Sequence, residues 1–125
     1  MFEPNTRRNK LNESQAYFKR FPAQFVTDVK VNNWIKSTEH FSNLDINLES
    51  FPYRIILEPT NLCNLSCSLC STGTKESNRG RGRMELENYE KIIDAVSPYA
   101  VELYLQNWGE ATVHPNFSEI VSYAN

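Results

Sequence analysis

Hydrophobic and polar positions divide the chain at about residue 50. Up to that point it is rich in Asn, Ser, Lys and Glu and has no internal repeat. The run Phe25–Val31 alternates enough to predict a short strand, with Val29 and Val31 on one face. Trp34 and Ile35 are expected to pack onto the later part of the chain. The segment 1–50 as a whole reads as an irregular N-terminal extension lying over the core, without chemistry of its own. After Phe51-Pro52 the pattern becomes regular. Tyr53–Glu58 is β-branched and mostly apolar, is closed by Pro59, and predicts a buried strand. A polar loop and a basic stretch, Lys75 to Arg83, lead into a helix from about Glu85 to Val96. Leu86, Tyr89, Ile92, Ile93 and Val96 fall on one stripe, while Glu87, Glu90 and Lys91 face water. Ser97-Pro98 stops that helix.

Val101–Gln106 then alternates as a strand does, the turn Asn107–Glu110 comes next, and Phe117, Ile120, Val121 and Ala124 start a second helical stripe. Strand, loop, helix, strand, loop, helix predicts an α/β fold of βα units around a parallel sheet. In such a sheet both loops leave the carboxyl edge, where α/β proteins assemble their sites.

Composition narrows the class. The chain has 125 residues, 40% hydrophobic and 22% charged, with a net charge of −2. That balance supplies no global positive field for nucleic acid or an anionic membrane. No apolar run approaches the roughly 18 residues of a membrane span. The polar N-terminus lacks a signal core, so a cytoplasmic location is the default expectation.

The cysteines change the picture most. There are three, at Cys63, Cys67 and Cys70, in one polar loop directly after the first predicted strand. An odd, tightly clustered set points to metal rather than to a disulfide framework. Three thiolates spaced CxxxCxxC suit a [4Fe–4S] cube, leaving one iron without a protein ligand. Structural zinc wants four ligands, and His114 is the plausible fourth, so a Cys3His zinc module stays open beside the cluster. A cluster-bearing fragment without catalysis stays open as well.

The segment Glu58-Pro59-Thr60-Asn61-Leu62-Cys63-Asn64-Leu65-Ser66-Cys67, with Cys70 behind it, resembles the ExTxxCNLxC opening of the radical SAM superfamily, particularly its SPASM-related members. The resemblance covers residues 51–125. It implies that Cys63, Cys67 and Cys70 hold a [4Fe–4S] cluster whose open iron chelates S-adenosylmethionine. Reductive cleavage then yields a 5′-deoxyadenosyl radical that takes hydrogen from a small-molecule or peptide substrate. Electrons would come from a reductant such as flavodoxin or ferredoxin; neither nucleic acid nor membrane is implied.

The family's GGEP-like turn corresponds to Asn107-Trp108-Gly109-Glu110-Ala111. By that likeness Gly109 and Glu110 would meet the methionine end of the cofactor, and Leu69, where relatives often carry an aromatic, its adenine. Ala111 replaces the usual proline, and Trp108 is expected to plug the sheet edge. His114 is expected to serve the start of the next helix. The basic loop (Lys75, Arg79, Arg81, Arg83) reads as a solvated connector rather than a phosphate or nucleic-acid contact, since no aromatics interleave with it. At roughly 30 residues per βα unit, residues 51–125 supply about two and a half units. The radical SAM core needs about six, so the expectation is the truncated start of a (β/α)6 barrel, inactive by itself.

Overall fold

A computed structural model describes residues 4–125. The chain divides into two compact units, one made of residues up to Tyr53 with Pro98–Glu102, the other of Arg54–Ser97 with Leu103–Asn125. No helix among the described residues is long and apolar enough to cross a membrane.

The first unit overturns the expectation of an irregular extension. It is built on two packed helices, α1 (Pro4–Phe18) and α2 (Asp28–Asn43), joined through a 3₁₀ turn at Ala23–Phe25. The strand expected over Phe25–Val31 is absent. Its middle holds a helix start instead: the Thr27 side chain accepts from the Lys30 N–H at 3.3 Å, and Asp28 opens the first turn. Capping and a carboxylate at the positive helix end outweigh the β-preference of two valines. Val29 is exposed, and Trp34, one helical turn beyond Val31, carries the buried face.

Trp34 stacks on Tyr17 with centroids 5.1 Å apart and meets Phe18 and Tyr53 edge-on. Buried Asn33 brackets the backbone of Phe51, accepting its N–H at 2.8 Å and donating to its carbonyl at 3.0 Å. Buried Glu102 is satisfied by the Tyr17 hydroxyl at 2.7 Å and Arg20 at 3.1 Å. A carboxylate with such partners meets the condition under which burial is tolerable.

The second unit adopts the βα pattern. Strand β1 (Arg54–Ile56) pairs in parallel with β2 (Glu102–Tyr104), and the Leu57 N–H donates to the Tyr104 carbonyl at 2.9 Å. Between them runs α3 (Leu86–Val96), whose Tyr89 and Ile93 are buried against Ile120 of α4 (Phe117–Tyr123). Ile120 is wholly buried, and its carbonyl accepts from the Tyr89 hydroxyl at 2.8 Å. Burial of one such aliphatic side chain contributes about 1.5–3 kcal/mol. The first strand is not the buried one expected: Ile56 is 65% exposed, because a two-stranded sheet covered on one face leaves alternate residues in solvent.

Candidate functional site

Both loops that carry chemistry leave the same end of the two strands. The first begins with a tightly held shoulder, Glu58–Leu62. Thr60, almost wholly buried, donates through Oγ1 to the Gly82 carbonyl at 2.9 Å and accepts from the Leu62 N–H at 3.1 Å. Asn61 clasps the returning chain, donating to the Gly80 carbonyl at 2.6 Å and accepting from the Gly82 N–H at 2.8 Å. The Met84 N–H donates to the Pro59 carbonyl at 2.7 Å. The basic stretch is therefore pinned against the shoulder at its far end.

The turn after β2 lies on the same shoulder. Glu58 Oε1 accepts from the Trp108 N–H at 2.8 Å and the Gly109 N–H at 3.0 Å, while its Oε2 takes Arg79. The Glu110 N–H donates to the Leu62 carbonyl at 2.8 Å, next to Cys63. A Cβ on Gly109 would lie 1.8 Å from the Thr60 carbonyl oxygen and 2.7 Å from Asn61 Cα. Only glycine permits that approach of backbone to backbone.

Glu58 is the residue that sequence reasoning passed over. It stands at the head of the cysteine motif, but its partners lie 50 and 51 positions away. Burial pushes its carboxyl up, yet Arg79, the two backbone N–H groups and the Arg79 charge together hold it below the ordinary value. A lowered folded pKa contributes stability that is present above the unfolded value and lost as pH falls through the folded one. Acid below about pH 4.5 is thus expected to loosen the Gly109 turn. Glu58→Gln should remove that acid dependence and cost about 1 kcal/mol, allowing for solvent screening of the Arg79 pair. Thermal melts of both proteins from pH 3 to pH 7 check this.

Beyond the shoulder the cysteine loop has turns but neither helix nor strand. All three thiols are free; Cys67 is exposed, and Cys63 and Cys70 are half-buried. Among the described residues no three Cys, His, Asp or Glu side chains converge as a ready-made ion site. The backbone of the loop is nevertheless folded back on itself. The Cys70 N–H donates to the Cys67 carbonyl at 3.2 Å, and a Cβ on Gly73 would lie 2.5 Å from that carbonyl oxygen. The Leu65 N–H points at Cys63 Sγ, 3.4 Å away. The Gly73 and Thr72 N–H groups hold the Cys70 thiol below its ordinary pKa against the opposing effect of desolvation, with a lesser contribution from the Thr72 side chain. The thiolate is the form in which cysteine ligates iron, so Cys70 is favoured in that form, and three free thiols in one loop match the number of protein ligands expected of the cysteine motif.

The remaining expected positions divide. Leu69 is fully exposed, apolar surface with nothing of this chain upon it. Trp108 is 44% exposed, so it does not plug the sheet edge. Glu110 uses Oε1 to cap a 3₁₀ turn, Ala111–Val113, accepting from the Thr112 N–H at 3.1 Å and hydroxyl at 2.8 Å. Those two bonds hold its carboxyl below the ordinary value.

His114 is buried and spends both ring nitrogens on backbone: Nε2–H donates to the Met84 carbonyl at 3.0 Å and Nδ1 accepts from the Asn116 N–H at 3.1 Å. It has no lone pair left for a metal and leads the chain into α4 instead.

Comparison of the chain with family models, with curated proteins and with solved structures gives no match.

Proposed function

We propose that this chain belongs to a radical SAM enzyme: Cys63, Cys67 and Cys70 hold a [4Fe–4S] cluster for the reductive cleavage of S-adenosylmethionine. Held by Cys63, Cys67 and Cys70, such a cluster would supply an open iron for S-adenosylmethionine and one electron for its reductive cleavage to a 5′-deoxyadenosyl radical, which would take hydrogen from a small-molecule or peptide substrate. A cytoplasmic reductant of the flavodoxin or ferredoxin kind provides that electron.

One observation carries the reading. The free three-thiol loop and the Gly109-Glu110 turn are fastened together at one sheet edge, through the Glu110 N–H on the Leu62 carbonyl and through Glu58. A turn locked beside Cys63 suits a contact with a ligand held on the cluster. Gly109 lets the turn lie against the shoulder beside Cys63, and Glu110, with both its hydrogen bonds on Oε1, can take an ammonium on its second oxygen. Leu69 offers exposed apolar surface for an adenine. Zinc is the weaker reading, because the fourth ligand it needs, His114, is already committed to backbone.

The test is spectroscopic. In anaerobically reconstituted, reduced protein, S-adenosylmethionine should change the electron paramagnetic resonance spectrum of the cluster. Glu110→Gln should keep the cluster and need more S-adenosylmethionine for the same change. A cluster whose spectrum ignores the cofactor at any concentration would refute an open iron.

A further inference from the structure

The basic stretch after the cysteine loop is an exposed connector, as its pattern predicts, yet its cations are not scattered. Lys75, Arg79 and Arg81 converge on one pocket, with Thr72, Ser77 and Asn61 as its other walls, all within the second unit. The cavity between them is small, about 40 Å³. A tetrahedral oxyanion would therefore sit at its mouth, among cations that are themselves exposed, with the atoms attached to it in solvent.

The charge in the pocket is only partly answered. Arg79 is paired with Glu58. Among the described residues, Lys75 and Arg81 have no ion-pair partner. Glu76, the adjacent carboxylate, accepts instead from the Thr74 hydroxyl at 3.1 Å. Two unanswered cations facing one pocket, in a chain of net charge −2, repel each other with no gain to the fold.

The turn that presents Lys75 is also built rather than loose. Lys75 has φ 64°, a left-handed conformation that costs a non-glycine residue roughly 1–2 kcal/mol. It is held there by the Lys75 N–H on the Thr72 carbonyl at 3.3 Å and by the Glu76 and Ser77 N–H groups on the Ser71 carbonyl at 2.9 and 3.1 Å. The Lys75 and Glu76 bonds are the left-handed closure that ends a helical turn, and they fix where the Lys75 backbone stands.

We propose that this pocket binds the phosphate group of a small-molecule ligand. The Lys75 ammonium, the unpaired Arg81 guanidinium fork and the Ser77 hydroxyl, with the charge of Arg79 beside them, offer more donors, from more directions, than the two oxygens of a carboxylate accept, and they suit a tetrahedral dianion. Nucleic acid is the poorer occupant: the walls include no aromatic side chain on which a base stacks. The inference is independent of the iron–sulfur reading and is tested without iron.

Inorganic phosphate titrated into the whole metal-free chain at constant ionic strength, followed by amide NMR, should give saturable shifts confined to Asn61 and about residues 72–82. Lys75→Gln with Arg81→Gln should weaken binding at least about tenfold, as expected for losing charge-assisted contacts, while the α3 and α4 signals stay in place. If the double variant fails to fold, Lys75→Gln alone should still weaken binding severalfold. Shifts that chloride reproduces, wild-type affinity in the variants, or equal affinity for succinate would overturn the proposal. So would a short single-stranded oligonucleotide that binds the same residues more tightly than phosphate does.

Discussion

Cys67→Ala is expected to leave anaerobically reconstituted protein with under about one iron per chain, against about four in the parent. The loss follows from ligand count: on the proposed cluster, removing one thiolate leaves only two protein ligands. Cys67 separates ligation from packing unusually well. Its backbone is held by the Cys70 N–H and the close approach of Gly73, whereas its side chain is exposed. Removing an exposed Sγ should therefore change metal-free stability by under about 0.5 kcal/mol. Iron and acid-labile sulfide assays beside a thermal melt check both halves. Full iron in the variant would remove Cys67 from the ligand set, and a collapse of metal-free stability would assign it a structural role instead.

Gly109→Ala is expected to have the largest effect on the fold. Its Cβ would overlap the Thr60 carbonyl oxygen and Asn61 Cα, which are backbone atoms of the shoulder and cannot swing aside as a side chain does. Overpacking of this kind costs about 1–3 kcal/mol or more, a fall in melting temperature on the order of 10 °C for a chain of this size. Because the displaced turn also carries the Glu58 and Leu62 hydrogen bonds, the cysteine loop should lose its anchor in the same step. Gly80→Ala is the control: a Cβ there meets nothing within 4 Å, and its melt should match the parent's. Equal melting of the two alanine variants would mean that the turn and the shoulder are not fastened as described.

The sequence pattern was most informative where a helix buries one stripe. The spacing of Leu86, Tyr89, Ile93 and Val96 anticipates α3 to within a residue, and Ile120 marks the buried face of α4. Both rest on local period alone. The N-terminal helices were illegible for the opposite reason. In α1 apolar residues are sparse until Tyr17 and Phe18, and in α2 the Thr27-Asp28 cap was masked by neighbouring valines. Their stability comes from an aromatic cluster drawn from Tyr17, Phe18, Trp34 and Tyr53, residues no short window spans.

The candidate site divides along the same line. Cysteine spacing is local and can be read directly. The work of Glu58 cannot, since it rests on hydrogen bonds across 50 residues of chain. Likewise Lys75, Arg79 and Arg81 read as a solvated connector until the turn at residues 71–77 folds them around one pocket.

Metal analysis tests the central claim most directly. Protein refolded without oxygen in the presence of iron, sulfide and an equal amount of zinc should be purified and assayed for all three elements. The account predicts about four irons and about four sulfides per chain and little zinc. One zinc per chain with neither iron nor sulfide would contradict it.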